Sequence, residues 1–263
     1  MIPFITSMKG VFDFTGKNVV ITGGNGGIGL GIGKVFAECG ANIAILCRNM
    51  QKADKALGEL SVYGGKFLAY SCDVTDPESV RAAVESVCKD FGNINVLINN
   101  SGVGGGGKLL DMDKDLAGWR QTVDINLVGF FQVTHEVGKR MRDAGKGGSI
   151  INITSMAGST VLRVPLTPYA SAKAAGERFT KSMAVELAEY DIRVNAIAPG
   201  WIHAGFGEHP TKELYDMIAI QQPLKRLGEA IEVGALAVFL ASPAAAHITG
   251  EEIKIDGGYT LMT

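Results

Sequence analysis

The segment Lys17 to Arg48, KNVVITGGNGGIGLGIGKVFAECGANIAILCR, narrows the folds open to this chain more than any other. Asn18 to Thr22 is a short β-branched run without charge, as a strand buried on both faces requires. Glycines follow at 23, 24, 26, 27, 29, 31 and 33 and lead into a helix whose apolar side closes at Phe36. That helix stops at Gly40, a C′ glycine, and Ile43 to Cys47 reads as a second buried strand. A strand that enters a helix through glycines can bind a dinucleotide pyrophosphate. Missing Cβ atoms let the backbone approach the phosphates, and the free N–H groups of the helix start meet their charge. Two spacings fit this turn: Gly24, Gly26 and Gly29 as G-x-G-x-x-G, or Thr22, Gly23, Gly27, Ile28 and Gly29 as T-G-x-x-x-G-I-G. The bland alternative is a flexible turn between two packed elements.

Down the chain the same alternation repeats. Helices are expected over 49–60, from about Thr75 to Phe91, over 116–141, 169–189, 211–222 and 229–241. Strands are expected at Lys66–Ser71, Ile94–Ile98, Ser149–Thr154, Arg193–Ile197 and Glu252–Ile255. Strict strand–helix alternation without internal repeats predicts an α/β fold, a Rossmann-type doubly wound parallel sheet of about seven strands with helices on both faces. Residues 1–13 read as a loosely held leader and 14–263 as one domain, with residues 201–222 as a lid carrying Gly205, Gly207, Pro210 and Pro223 as hinges. Trp201, Phe206 and Tyr215 are the lid residues that could face a substrate, with packing an equal alternative for each.

Composition removes several partner classes. A net charge of −2 with no basic run gives nucleic acid and anionic membrane no footing. No apolar stretch reaches the roughly 18 residues that span a bilayer, and the N-terminus lacks a secretory pattern. Cys39, Cys47, Cys72 and Cys88 are scattered without C-x-x-C, which reads as a cytoplasmic chain with reduced, buried thiols. His135, His203, His209 and His247 form no i, i+4 pair; even His203, His209 and Glu208 make a poor ligand set, so no metal is expected.

The chemistry-bearing residues sit at strand ends and on two helices. Tyr169 and Lys173 are four apart, so they share a helix face among small neighbours. A nearby ammonium would lower the tyrosine from its usual ~10 towards neutrality and make it a general acid or base. Ser155 follows the fifth strand, fourteen residues before Tyr169, and Asn126 lies mid-helix, where asparagine is a poor choice. Each alone has a commonplace reading; their order within this alternation does not.

Taken together, the chain resembles the short-chain dehydrogenase/reductase family over nearly its whole length. Thr22-Gly23 with Gly27-Ile28-Gly29 is similar to that family's cofactor turn, which favours the second spacing. Asp73-Val74 resembles the adenine-contacting pair, and Asn99-Asn100-Ser101-Gly102 the N-N-A-G turn with serine for alanine. Asn126, Ser155, Tyr169 and Lys173 match the catalytic tetrad, and Pro199-Gly200 and Asp256-Gly257-Gly258 match further landmarks. Asn25 and Ile202 flank these motifs and join the expected cofactor contacts. The Ser155–Tyr169 spacing is one residue longer than the commonest, and Ala204 stands where a threonine often holds the nicotinamide amide.

The resemblance implies hydride transfer between a nicotinamide and a carbonyl or secondary alcohol, with a sugar, polyol, oxoacyl or cyclic ketone as substrate. Tyr169 would pass the proton, Lys173 tune it and bond the ribose, Ser155 hold the substrate oxygen, and Asn126 fix a water leading to solvent. It also implies a homodimer or homotetramer paired through the two long helices. Cofactor choice rests on Cys47-Arg48, nineteen residues after Gly29. An acid there would bind both ribose hydroxyls and select NAD(H). No carboxylate appears until Asp54, while Arg48 can grip a 2′-phosphate and Asn49 add a neutral bond, so NADP(H) is favoured and NAD(H) is the alternative. The glycine turn itself offers no second cation. A rival of another class, a dinucleotide-binding sensor without catalysis, would normally carry a broken tetrad. All four positions here are filled.

Overall fold

The computed structural model describes residues 10–105, 109–112, 115–162, 165–203 and 211–262. Seven strands form one parallel sheet: β1 (Asn18–Thr22), β2 (Asn42–Cys47), β3 (Phe67–Ser71), β4 (Val96–Asn99), β5 (Gly148–Ile153), β6 (Ile192–Pro199) and β7 (Glu252–Ile255). Their spatial order is β3-β2-β1-β4-β5-β6-β7. The chain therefore works outward from β1 to one edge, returns, and builds the other half from β4. Between β1 and β4 the connections leave in opposite directions, and a crevice opens at the carboxyl ends there.

Side-chain alternation along the strands feeds two cores. Val19, Ile21, Ile43, Ile45 and Ile98 face one side, packed by α1 (Gly27–Glu38), α2 (Met50–Leu60) and α8 (Ala230–Ala241). Val20, Ala44, Leu46, Leu97 and Ile150 face the other, packed by α3 (Pro77–Phe91), α5 (Gly129–Ala144) and α6 (Thr167–Leu187). Because both faces are covered, β1 and β6 are buried at every position; β1 reads as an apolar run, whereas β6 also buries Arg193 and Asn195, both of which donate to the Ile248 carbonyl.

The helix expected over 116–141 differs from its expectation. It begins as α4 (Ala117–Val123), widens into a π-helical turn at Asp124–Val128, and continues as α5. The helix expected over 211–222 is the shorter α7 (Lys212–Ala219). Of the leader expected at 1–13, residues 1–9 lie outside the described residues, while Val11 is buried. Residues 204–210, which hold Ala204, Phe206, Glu208, His209 and three of the expected hinges, also lie outside them, as do Gly106 and Gly107. Cys47 and Cys72 are buried free thiols, and Cys39 and Cys88 are half-buried ones. Among the described residues no helix is long and apolar enough to cross a membrane.

Candidate active site

A cavity of about 840 Å³ opens at the switch point between β1 and β4. Its floor is the glycine turn. Gly23 takes a φ of +65°, a conformation that disfavours a side chain. Thr22, just below, does not line the cavity but shapes it: its Oγ1 accepts the backbone N–H groups of Asn100 and Ser101, both at 2.9 Å. Asn100 reaches back and donates to the Thr22 carbonyl at 2.9 Å, so the first and fourth strands are laced together at their ends. Gly29 also lies under the wall; a Cβ on it would fall 2.5 Å from Asn100 Nδ2 and 2.6 Å from the Gly23 carbonyl. Asn25, Gly27 and Ile28 line the cavity, as do Ser101 and Gly102. This glycine cradle before the start of α1 fits a dinucleotide pyrophosphate.

At one end of the cavity lie the tips of β2 and β3. Arg48, Asn49, Asp73 and Val74 all line it. Arg48 Nη1 is 3.8 Å from Asp73 Oδ2. Asp73 Oδ1 accepts from the Thr75 N–H at 2.9 Å and its hydroxyl at 2.7 Å. These bonds, and then the Arg48 charge, hold the Asp73 carboxyl below its ordinary range. Asn49 commits one end of its amide to the fold and leaves its Nδ2 donor for the neutral ligand bond expected of it. Its Oδ1 caps α2 by accepting from the Lys52 N–H at 2.9 Å, the ordinary use of asparagine at that position. Lys52 itself lines the cavity, a cation the sequence reading passed over. Its signal was present: a base in the first turn of a helix that has no acid there. Cys47 and Cys72 line the same end.

The four tetrad positions meet at the other end. Ser155 caps a short turn after β5, accepting from the Ala157 N–H at 3.2 Å, and hydrogen-bonds the Tyr169 hydroxyl. Tyr169 is buried at 9% exposure, and burial raises its phenol above the usual value while the Ser155 bond pulls the other way. The expected lowering by a neighbouring ammonium is thus reversed. Lys173 Nζ lies 5.6 Å from the Tyr169 ring centroid and 4.9 Å over Phe130, and donates to the Ile153 carbonyl at 2.8 Å. Burial alone pulls its ammonium down to about 7, so its own charge is part lost near neutrality.

Asn126 is fully buried in the π-helical turn. Its amide donates to the Thr122 and Val103 carbonyls at 2.9 Å each, while Oδ1 has no hydrogen-bond partner. The wider turn gives a helix-interior asparagine its place, since the Thr122 carbonyl is free to accept it. Pro199 and Gly200 complete the wall. Ile202 does not reach the cavity wall; it is bridged to Gly228 instead. The Asp256 turn is structural, its carboxylate accepting from the Gly258 and Thr260 N–H groups. Tyr215 packs edge-on against His203, with centroids 6.1 Å apart.

To this point the geometry defines a class, a doubly wound α/β enzyme with a dinucleotide crevice ending on a buried tyrosine–lysine pair. The family model described as enoyl-(acyl carrier protein) reductase matches residues 23–260. Oxidoreductase UcpA of Escherichia coli K12 is 41% identical, over 94% of this chain and 95% of that one. Sorbose reductase SOU1 of Candida albicans is 36% identical, over 95% and 89% respectively. A short-chain type dehydrogenase/reductase from Mycobacterium marinum superposes with a TM-score of 0.92 at 36% identity, covering 97% of this chain and 99% of that one. An NADPH-dependent 3-quinuclidinone reductase from Rhodotorula rubra gives 0.88 at 34% identity, with 98% and 97% covered. An NAD⁺-bound xylitol dehydrogenase gives 0.85 at 31% identity, with 93% and 99% covered. The chain belongs to the short-chain dehydrogenase/reductase family. It is an oxidoreductase of CH–OH and C=O groups, in a family that uses NAD(P)(H).

Proposed function

We propose that the protein is an NADP(H)-linked reductase of a small ketone or ketose, running in reverse on the corresponding secondary alcohol, with Tyr169 as general acid and base. The observation that carries this reading is the Ser155–Tyr169 hydrogen bond at the inner end of the cavity, with Lys173 one helical turn on. Residues 14–263 act as one catalytic unit, and 201–222 as the lid.

A nicotinamide dinucleotide would lie along the glycine turn from Arg48 and Asp73 to Tyr169 and Lys173, and when bound it supplies or accepts the hydride. The chain's own residues do the rest. Ser155 orients the substrate oxygen beside the phenol. Tyr169, kept protonated by its burial, gives that oxygen its proton in the reduction. Lys173, drawn to about 7, carries a proton readily in either direction near neutrality and returns one to the tyrosine. Asn126 Oδ1, buried and unpartnered, is the acceptor beside Gly102 through which this relay leads out. Arg48 selects the cofactor: the tip of β2 carries a guanidinium and no carboxylate of its own, and the neighbouring Asp73 carboxylate is engaged by Thr75, so the guanidinium is there to grip a 2′-phosphate.

A ketone substrate is supported by the sorbose reductase and 3-quinuclidinone reductase likenesses. Absorbance at the nicotinamide band with a panel of ketoses, cyclic ketones and oxoacyl thioesters tests the reading. NADPH is expected to exceed NADH in kcat/KM, with Arg48→Ala cutting that preference by about tenfold. A wild type that favours NADH would shift the reading to an NAD(H)-linked sugar or polyol dehydrogenase. No turnover with either cofactor, despite binding, would favour a dinucleotide sensor.

A further inference from the structure

We propose that Glu252 is a positioning residue of the catalytic end: it holds Thr154, and Thr154 holds the strand tip that meets both Tyr169 and Lys173. This rests on the Tyr169 reading above and extends it to a residue of β7 outside the cavity wall. Three observations carry it. First, Thr154 stands between the two contacts on which the proton step depends. The residue before it, Ile153, offers the carbonyl that accepts from Lys173 Nζ at 2.8 Å, and the residue after it, Ser155, bonds the Tyr169 hydroxyl. Thr154 is itself buried at 2% exposure and lines the cavity. It lies against α6 at Gly176, where an added Cβ would be 3.5 Å from its methyl group. A shift of Thr154 moves both contacts together.

Second, the Thr154 hydroxyl sits between oxygens of the two neighbouring strands. Its Oγ1 lies 2.6 Å from Glu252 Oε1 on β7 and 3.0 Å from the Ile197 carbonyl on β6. A hydroxyl carries one proton and can donate to only one of them. Both contacts are hydrogen bonds when the carboxyl is protonated and donates to Thr154, whose own O–H then points to Ile197. The surroundings favour that form. Burial raises the Glu252 carboxyl above its ordinary range and Glu177 on α6 adds to this, against the Thr154 bond and the ammonium groups of Lys254 on β7 and Lys181 on α6.

Third, a half-buried carboxyl is poorly suited to this place for folding alone. β7 is an edge strand whose Ile253 and Ile255 pack on the α8 side. Glu252 turns to the other face, towards α6, where Lys181 is already paired with Glu177 at 2.6 Å. Among the described residues Glu252 makes no ion pair of its own. An apolar side chain would cover that face without losing the hydration of a carboxyl. The bond to Thr154 is what the acid adds.

Glu252→Met keeps the length of the side chain and deletes the bond, whereas Glu252→Gln keeps a donor for Thr154. Steady-state reduction of the best ketone of the panel is measured for both beside Tyr169→Phe, with whichever nicotinamide cofactor supports turnover. Cofactor Kd and the denaturation midpoint are measured alongside. Glu252→Met should lower kcat about tenfold, the scale of a small misplacement in an oriented site, with cofactor Kd changed less than about threefold. Glu252→Gln should recover most of that loss. Thr154→Val alone should lose as much, and adding Glu252→Met to it should lower kcat no further. Glu252→Met kinetics equal to wild type, a second full loss in the Thr154→Val background, or Glu252→Gln as impaired as Glu252→Met would each overturn the proposal. A kcat that merely follows a lower denaturation midpoint would mean a role in stability alone, which also overturns it. If Tyr169→Phe turns over normally, the Tyr169 reading fails and this inference with it. If Tyr169→Phe is inactive while Glu252→Met is unimpaired, that reading stands and Glu252 is only an acid of the edge strand.

Discussion

Asn126 and Gly102 meet so closely that no side chain fits between them: a Cβ on Gly102 would lie 2.8 Å from Asn126 Oδ1 and 3.5 Å from Lys173 Nζ. The hydrogen at position 102 thus keeps open an approach between a buried, unpartnered carbonyl oxygen and the lysine. Gly102→Ala should push Asn126 off its position in the π-helical turn. A loss of at least about tenfold in kcat is expected, the scale of a small misplacement in an oriented site, with the Kd for 5′-AMP little changed because that probe occupies the other end of the cavity. Unimpaired kcat in Gly102→Ala would separate Asn126 from the relay.

Burial of Lys173 has a consequence for stability. Its ammonium titrates near 7 in the folded chain against 10.5 when exposed, so between those values the unfolded chain binds more protons. Stability then rises with pH across that window. Below about 7 both states carry the charge and the full burial cost is felt, of order a few kcal/mol. Denaturant titrations of wild type and Lys173→Met from pH 7 to 10 check this. The stability difference should move in favour of wild type as pH rises, whichever protein is more stable at the start. A difference independent of pH would show that the lysine keeps its charge when folded.

Assembly offers a third test. Phe131 on α5 is 53% exposed and stacks on His135 with centroids 5.9 Å apart, while Val185 on α6 is 79% exposed. These faces are where the long helices would pair in a dimer or tetramer, the arrangement proposed for a family whose members are typically oligomeric. Phe131→Glu should shift the species in light scattering towards the 27.7 kDa monomer. A wild type already monomeric at micromolar concentration would end that proposal.

Much of this was legible in the sequence, and the limits have physical causes. β1 and β2 announced themselves because burial on both faces favours apolar runs, while β7, which falls at Glu252–Ile255 as read, is an edge strand that keeps Glu252 and Lys254. The four candidate positions were read from one helix, one strand end and an asparagine placed mid-helix, and the fold brings them to one cavity. The π-helical turn at Asp124–Val128 was not, because one extra residue per turn leaves little trace in the apolar pattern. Tyr169 was expected to titrate low and is pushed up, since spacing reveals the neighbouring lysine but not how deeply both are buried. Lys52 was overlooked for a similar reason: only the fold shows that the first turn of α2 borders the crevice. The cap made by Asn49 Oδ1 went unread as well, because a loop asparagine and a helix N-cap look alike until the helix start is fixed.

In the proposed mechanism Tyr169 gives and takes the proton. Tyr169→Phe keeps the ring and its packing and deletes only the hydroxyl that Ser155 bonds. The measurement is kcat for NADPH-dependent reduction of the best ketone from the panel, alongside the Kd for NADPH by fluorescence titration. The account predicts a fall of at least about 10²-fold in kcat, the usual reach of a general acid, with Kd changed less than about threefold, a difference under 1 kcal/mol. A folded Tyr169→Phe protein that turns over near the wild-type rate would contradict it.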